Sequence, residues 1–440
     1  MFKGTNFVLI LVLWGLSGLT AAEPASVRIT GDWSIQVAYD GKTADFAIDP
    51  PDWHTPTDEK YDALPIFNPA GPPWRKAMPL QGVNAQECCV FDALVPDSVV
   101  VRLAPGDSAP LAAETDYLLD PRSGNIGRVE GGKIAADTPV YITYRSVLMR
   151  IDSVALTPDG SLTLVKGAPH RVNPVPPTLA DGEKRLANIF LTGQIEKLSE
   201  ENLFPILEPA ETLSFHDDAA VNPDPVAKKL IPKTWEKLIR GEKVRILAWG
   251  DSVTACGFLP DAERWQAQFV ERLQKRFPNA EVELMTEAWG GRNSDSYFAQ
   301  PSGAEHNYQE KVLGAKPDLI ISEFVNDAGF NAEKVEQNYG RMRDDFAKIG
   351  AEWIILTPHY VRPDWMGFTG QTNIDNDPRP YVQALRKFAE ANQIALADGS
   401  LLYGRLWRKG IPYNTLMTNN INHPNGLGMA IFADALMKLF

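Results

Sequence analysis

The feature that most restricts the fold is a regular alternation of apolar runs and helical patterns in the second half of the chain. The apolar runs read as buried strands at Val244–Trp249, Val282–Thr286, Leu319–Glu323, Trp353–Thr357 and Ile394–Ala397. Helical spacing appears at Trp265–Arg276, Lys334–Ile349, Pro380–Asn392 and Gly428–Leu439. Strands that alternate with helices form parallel sheets, because each helix returns the chain to the same edge. Residues 243–440 are therefore predicted to form a three-layer α/β domain, a parallel sheet with helices on both faces.

The first half of the chain has a different pattern, in which short alternating runs are separated by turn residues. These runs are Ser26–Thr30, Trp33–Ala38, Ser98–Leu103, Val140–Arg145, Ile151–Leu156, Ser161–Val165 and Leu186–Leu191. Such a pattern favours antiparallel strands. We predict a β-rich, sandwich-like domain over residues 23–192 and a proline-rich boundary region over residues 193–242, with a short helix at Gln194–Asn202. A length of 440 residues suits two domains.

The interval from Asp49 to Pro79 is rich in proline and aromatic residues, among them Trp53, Tyr61, Phe67 and Trp74. Exposed aromatic rings of this kind can stack on sugars. More often, such a stretch is a long loop that its aromatic side chains hold against a sheet. The second interpretation is favoured, and the first stays open.

The N-terminus and the overall charge limit where the protein works and what it binds. Met1–Ala22 has an early lysine, a short apolar segment and small residues before Glu23, a pattern typical of a secretory signal peptide cleaved after Ala22. The mature protein is therefore expected to be secreted or periplasmic, without a stable membrane span. A formal net charge of −13 argues against nucleic acid or an anionic membrane as a partner.

The cysteines do not form a metal-binding pattern. Cys88, Cys89 and Cys256 make an odd number in a chain expected to be exported. Buried free thiols are the favoured prediction. A bond from Cys88 or Cys89 to Cys256 is the alternative, and it requires the two domains to pack there.

A candidate nucleophile follows the first apolar run of the α/β half. Gly250-Asp251-Ser252 ends the run Val244–Trp249, so a serine is presented at the carboxyl end of a strand, where open α/β sheets place their ligands. As a bare tripeptide this is more often an ordinary turn. The catalytic interpretation depends on partners elsewhere in the chain.

Three further loops offer such partners. His423 precedes the last predicted helix and could act as a general base toward a serine hydroxyl. Asn326 follows the run Leu319–Glu323, where its side-chain amide could donate to an oxyanion. Gly290 and Gly291 follow the second run, and glycine there lets a backbone N–H approach the same oxygen. Each loop alone is a common turn, but the order and context of all four are specific.

Together the four loops resemble the SGNH hydrolases, also called GDSL esterases or lipases, over the whole α/β half. The resemblance implies that Ser252 is the nucleophile and His423 the base. It also implies an oxyanion hole made of the backbone N–H of Ser252, the backbone N–H of Gly291 and the side-chain amide of Asn326. Gly290 is the alternative glycine. The fold that the resemblance implies is a three-layer, flavodoxin-like parallel sheet, and no metal or other cofactor is implied.

Two supporting positions match the family and two others depart from it. Asp251 and Asp327 fall where the family uses carboxylates mainly to hold the loops in shape. Phe324 replaces a glycine that family members usually have two residues before the asparagine, and we expect its ring to narrow the pocket. Asn420 replaces the aspartate that usually lies three residues before the histidine and stabilises its cation. Its carbonyl oxygen, or a nearby backbone carbonyl, is expected to accept the Nδ1 hydrogen instead.

One more histidine lies at the carboxyl edge of the predicted sheet. His359 follows the run Trp353–Thr357 and either contacts substrate or is a capped loop residue, with neither favoured. The leading functional hypothesis is an exported serine esterase that hydrolyses small acyl esters, most plausibly acetyl, on a polysaccharide or smaller carbohydrate. The alternatives are a non-catalytic carbohydrate-binding surface protein and an O-acyltransferase. The oligomeric state is left open.

Overall fold

The computed structural model of the chain describes residues 23–106, 108–208 and 224–440. The expected signal peptide and part of the expected boundary region lie outside the described residues.

The N-terminal region is built of short antiparallel strands. They are β1 (Ser26–Gly31), β2 (Ser34–Tyr39), β3 (Lys42–Ala47), β4 (Trp53–His54), β5 (Glu59–Tyr61), β6 (Met78–Pro79), β7 (Asn84–Ala85), β8 (Cys88–Cys89), β9 (Leu94–Arg102), β10 (Tyr117–Leu119), β11 (Asn125–Arg128), β12 (Val140–Val147), β13 (Arg150–Leu156), β14 (Leu162–Val165), β15 (Lys184–Leu191) and β16 (Leu203–Pro205). The two larger cores of this region pack beneath these strands. The prediction of an antiparallel β-rich N-terminal region is confirmed.

These strands form several small sheets. The order is β1-β2-β3 in one sheet, β14-β13-β15-β16 in a second and β10-β11-β6 in a third, while β12 pairs with β4, β5 and β9. Strands β7 and β8 form a separate hairpin. The helix predicted at Gln194–Asn202 is wrong, because only a single 3₁₀ turn forms, at Glu200–Asn202. Ser199 N donates to Asn202 Oδ1 at 2.8 Å, a local side-chain bond that competes with helical pairing.

The C-terminal region alternates strands and helices. Its elements are α1 (Val226–Leu230), α2 (Pro232–Arg240), β17 (Lys243–Gly250), α3 (Ser252–Ala255), α4 (Trp265–Arg276), β18 (Glu281–Ala288), α5 (Ser294–Phe298), β19 (Leu319–Glu323), α6 (Ala332–Ile349), β20 (Glu352–Leu356), α7 (Pro380–Asn392), β21 (Ala395–Ala397), α8 (Gly399–Gly404) and α9 (Gly426–Met437). The five strands pair in parallel in the order β18-β17-β19-β20-β21. In the ranges that the structure covers, no helix has both the length and the hydrophobicity needed to cross a bilayer.

The parallel sheet has a hydrophobic core on each face. Along β17, Val244, Ile246 and Ala248 pack in one core together with residues of α4 and α9. Leu247 and Trp249 pack in the other core, with residues of α6 and α7. This alternation is what a strand buried on both faces requires. The predicted three-layer α/β fold is therefore confirmed.

The N-terminal region contacts the C-terminal region around the loop that precedes α9. Asn173 Nδ2 donates to the backbone carbonyls of Thr415 and Met417, at 2.8 Å each. Arg122 forms an ion pair with Asp364 at 2.8 Å. The β-rich region is thus bonded to the same loop that carries the candidate histidine.

The three cysteines are buried and free. Cys88 and Cys89 form β8 and pack against Phe91 and Ile421, and Cys256 lies in a core of the parallel sheet. The prediction of buried free thiols is confirmed.

Candidate active site

The serine turn is shaped by a glycine and an aspartate. A Cβ built on Gly250 would lie 2.2 Å from the carbonyl oxygen of Glu323, so only glycine fits where β17 ends. The Asp251 carboxylate caps α3 by accepting from Val253 N at 3.0 Å. Ser252 is the first residue of α3 and is half-buried, and its backbone N–H lacks an intrahelical acceptor because of that position. The turn therefore holds a hydroxyl and an amide side by side.

The histidine loop is fixed from inside by Asn419. The Asn419 Oδ1 atom accepts from three successive backbone amides at 2.8–3.0 Å, those of Ile421, Asn422 and His423. The His423 carbonyl oxygen in turn accepts from Thr418 N at 2.7 Å. This local network sets the direction in which the imidazole leaves the backbone.

The structure brings His423 and Ser252 together. Nε2 of His423 lies 3.2 Å from Ser252 Oγ, which is hydrogen-bonding distance. The ring of Phe258 stacks on the imidazole, with a centroid separation of 4.4 Å and an interplanar angle of 2°. Because His423 is only 9% exposed, burial lowers the pKa of its imidazole to about 4. The ring is therefore neutral above about pH 4 and able to accept a proton.

The acceptor at the other ring nitrogen comes from the N-terminal region. Nδ1 of His423 lies 2.9 Å from Oε1 of Gln86. The expectation that Asn420 or a neighbouring backbone carbonyl would take this role is wrong. Asn420 is 5% exposed in a left-handed conformation at φ 60°, and its Nδ2 is buried without a hydrogen-bond partner.

Asn326 lies next to the serine turn. Its backbone N and its Nδ2 both donate to Asp251 Oδ2, at 2.8 and 2.9 Å. An amide nitrogen carries two hydrogens, so the second one remains available to a ligand. On the other side, a Cβ built on Gly290 would lie 3.7 Å from Ser252 Cβ, whereas one on Gly291 would meet no atom within 4 Å. Asn326 and Gly290 therefore lie next to the serine turn, whereas Gly291 faces open space.

Asp327 connects the loop that carries Asn326 to the loop that carries Gly290 and Gly291. Its carboxylate accepts from Ser294 N at 2.9 Å and from the Tyr339 hydroxyl at 2.9 Å. Burial raises the pKa values of Asp251 and Asp327 to about 7. Both aspartates lie behind the loops, where they connect one backbone segment to another.

The family comparison agrees with this geometry. Residues 248–431 match the GDSL-like lipase/acylhydrolase family. This part of the chain is a GDSL-like lipase/acylhydrolase domain. By its enzyme class, the domain is a carboxylic ester hydrolase. Among curated proteins, none has a sequence that matches the chain.

Several solved structures are similar to part of this chain. A variant of an acetyl xylan esterase from Geobacillus stearothermophilus is 18% identical, covers 44% of this chain and 94% of its own, and has a TM-score of 0.35. A two-domain esterase described as active on acetylated mannans is 19% identical, with coverages of 48% and 51% and a TM-score of 0.38. A third structure, of an acetyl xylan esterase, is 21% identical, with coverages of 44% and 98% and a TM-score of 0.35.

Phe324 does not narrow the active site of the GDSL domain, so that expectation is wrong. It is 2% exposed and packs edge-on against Trp249, with ring centroids 4.9 Å apart. Successive side chains of a strand alternate between the two faces of the sheet. The alternation that buries Trp249 also directs Phe324 into the core below the sheet. A large side chain is accommodated there because it fills the core and not the site.

His359 supports the histidine loop and does not reach substrate. It is fully buried, and its Nε2 lies 2.8 Å from the carbonyl oxygen of Asn422. Its ring lies edge-on to Phe432 of α9. Burial lowers its pKa well below the ordinary value, so the ring is neutral and donates to Asn422. Of the two alternatives left open by the sequence, the loop residue is correct.

The aromatic residues of the 49–79 interval mostly hold that interval in place. Tyr61 is buried, and the guanidinium of Arg145 lies over the ring of Trp53 at 4.5 Å, although Trp53 stays 41% exposed. Trp74 is the exception, because it reaches the GDSL domain and packs against Trp365 with ring centroids 5.4 Å apart. Trp365 is 45% exposed, so an aromatic surface spans both regions.

Sequence reasoning missed Gln86, Phe258 and Asn419. Gln86 lies in the other region of the chain, and no local pattern connects it to a histidine 337 residues later. Phe258 occupies a loop without a recognisable motif. Asn419 had a usable signal, since asparagine two to four residues before a loop amide often bonds the backbone.

Proposed function

We propose that the protein is an exported serine esterase that removes small acyl groups, acetyl above all, from carbohydrate esters. The observation that carries this proposal is the 3.2 Å contact between His423 Nε2 and Ser252 Oγ. A neutral imidazole at that distance can take the hydroxyl proton as the oxygen attacks a carbonyl.

The proposed reaction has two halves. Ser252 Oγ attacks the ester carbonyl carbon while its proton passes to His423 Nε2. The negative oxygen of the tetrahedral intermediate accepts hydrogen bonds from the Ser252 amide, from the Gly290–Gly291 turn and from the free hydrogen of Asn326 Nδ2. The intermediate expels the alcohol, which takes the proton from Nε2. Water then attacks the acyl-serine with His423 as base, and the acid is released.

A small acyl group on a carbohydrate is supported by physical features beyond the site itself. The net charge of −13 disfavours binding to anionic lipid surfaces. Trp365, which is exposed, and the half-buried Trp74 that packs on it offer aromatic rings of the kind on which sugars stack. Export is proposed from the N-terminal sequence alone.

The proposal is tested by hydrolysis of p-nitrophenyl acetate and of an acetylated xylo- or manno-oligosaccharide. The wild type should release acetate from both, and Ser252→Ala should reduce the rate by at least about 10³-fold. Equal rates for the wild type and Ser252→Ala would overturn the catalytic assignment. Transfer of the acetyl group to an added sugar in preference to water would convert the proposal into acyl transfer by the same residues.

A further inference from the structure

We infer that Gln86 of the β-rich region positions His423, so that the active site is completed across the two regions by a Ser-His-Gln arrangement. This inference rests on the proposed esterase function. Gln86 is a positioning residue, because it acts on the imidazole and does not reach the reacting ester.

The chemistry of the two ring nitrogens explains why an acceptor is needed at Gln86. The Ser252 hydroxyl can donate to Nε2 only if Nε2 holds a lone pair, and the single ring hydrogen is then on Nδ1. Oε1 of Gln86, 2.9 Å from Nδ1, accepts that hydrogen. The side chain therefore stabilises the tautomer that serves as the base.

The backbone of Gln86 is held at the histidine loop. Gln86 and Glu87 form the two-residue turn between β7 and β8, where Glu87 adopts a left-handed conformation at φ 53°. The backbone N–H of Gln86 donates to the backbone carbonyl of Thr418 at 3.4 Å. Two residues on, Cys88 and Cys89 pack against Ile421 of the loop.

A tight hairpin that is anchored on both sides offers the Gln86 side chain few alternative positions. The distance to Nδ1 is thus set by the packing of one region on the other. The β-rich region contributes to the esterase site itself.

A neutral acceptor orients the ring without supplying a charge. The aspartate that the family usually places three residues before the histidine would stabilise the imidazolium, and the amide of Gln86 does so far less. Among the charged and titratable groups near the ring, Glu87 favours the cation and His359 lies behind the loop. The amide therefore leaves His423 a weaker base than a carboxylate at the same position would.

Two variants of the full-length protein test the inference. Gln86→Met keeps the length of the side chain and removes the acceptor, so kcat should fall about 10- to 100-fold while KM changes little. Gln86→Glu places a carboxylate against Nδ1, which should raise the pKa of His423 and move the acid limb of the kcat/KM profile upward by about one pH unit or more. Gln36→Met, on the exposed face of β2, is the matched control and should behave as wild type.

The inference is also tested without an activity measurement. In ¹⁵N-labelled protein, the His423 ring should be protonated at Nδ1 in the wild type, with its signal assigned by loss in His423→Ala. Gln86→Met should shift that signal or convert the ring to the other tautomer.

The possible failures are distinguishable. A folded Gln86→Met with wild-type kcat, or an acid limb unmoved in Gln86→Glu, would overturn the inference and leave the esterase function intact. Wild-type activity that does not depend on Ser252 would instead overturn the proposed function.

Discussion

The stacking of Phe258 on His423 makes a quantitative prediction for Phe258→Ala. Phe258 is half-buried and covers one face of the imidazole, at a ring separation of 4.4 Å. Burial is the main cause of the lowered pKa of His423, about 4 against an ordinary value of 6.5. Removal of the phenyl ring admits water to that face, and water stabilises the imidazolium. The pKa of His423 should therefore rise.

The size of the effect follows from the burial. The difference between the two pKa values corresponds to about 3.4 kcal/mol that opposes protonation of His423. Exposure of one face of the ring to water should lower this opposing free energy by about 1.4 kcal/mol, which raises the pKa of His423 by about one unit. Because the lowered pKa keeps the base neutral above about pH 4, activity is lost as the pH falls through that value. At pH 5 about 90% of the wild type and about half of the variant should have a neutral base.

The assay is the pH dependence of kcat/KM for p-nitrophenyl acetate, measured from about pH 3.5 to about pH 8. Phe368→Ala is the matched control, because Phe368 is a partly buried aromatic residue of the same core that packs against Tyr360. An acid limb that stays at the wild-type position in a folded Phe258→Ala would refute the view that this ring keeps His423 dry.

Four further substitutions test the rest of the site. Asn326→Ala removes the proposed donor to the oxyanion and should lower kcat about 10²- to 10³-fold with little change in KM, measured by steady-state kinetics. His359→Ala should lower the free energy of unfolding by about 2–4 kcal/mol in chemical denaturation, since it opens a cavity and leaves the Asn422 carbonyl unpaired. Gly250→Ala should lower the free energy of unfolding by about 3 kcal/mol or more, seen as a lower Tm, because the added Cβ has no space. Asn420→Asp should not raise kcat, since Gln86 already occupies Nδ1; a clear increase would contradict the assigned acceptor.

The sequence predicted the C-terminal fold well because its apolar pattern is local and periodic. The helices Trp265–Arg276 and Pro380–Asn392 have the predicted bounds, and β19 does too. A strand buried on both faces and an amphipathic helix each carry their pattern in a short window. Seven N-terminal strands were predicted for the same reason, but β3, which has six residues, and most strands of two to four residues were missed.

The failures have a common physical cause, which is contact between distant segments. Asn420 was chosen as acceptor because it lies near His423 in sequence, whereas Gln86 reaches the ring through the packing of a hairpin on the loop. Phe324 and His359 were judged by their position near the sheet edge. Their burial depends on side-chain packing in three dimensions, which a sequence window does not contain.

Labelling by a fluorophosphonate, followed by peptide mapping, tests whether Ser252 is an activated nucleophile beside His423. The probe phosphonylates only a serine activated by a base and placed beside oxyanion donors. We expect a single modified residue, Ser252, with labelling lost in His423→Ala and slowed in Gln86→Met. An unmodified wild type, or a label on another residue, would contradict it.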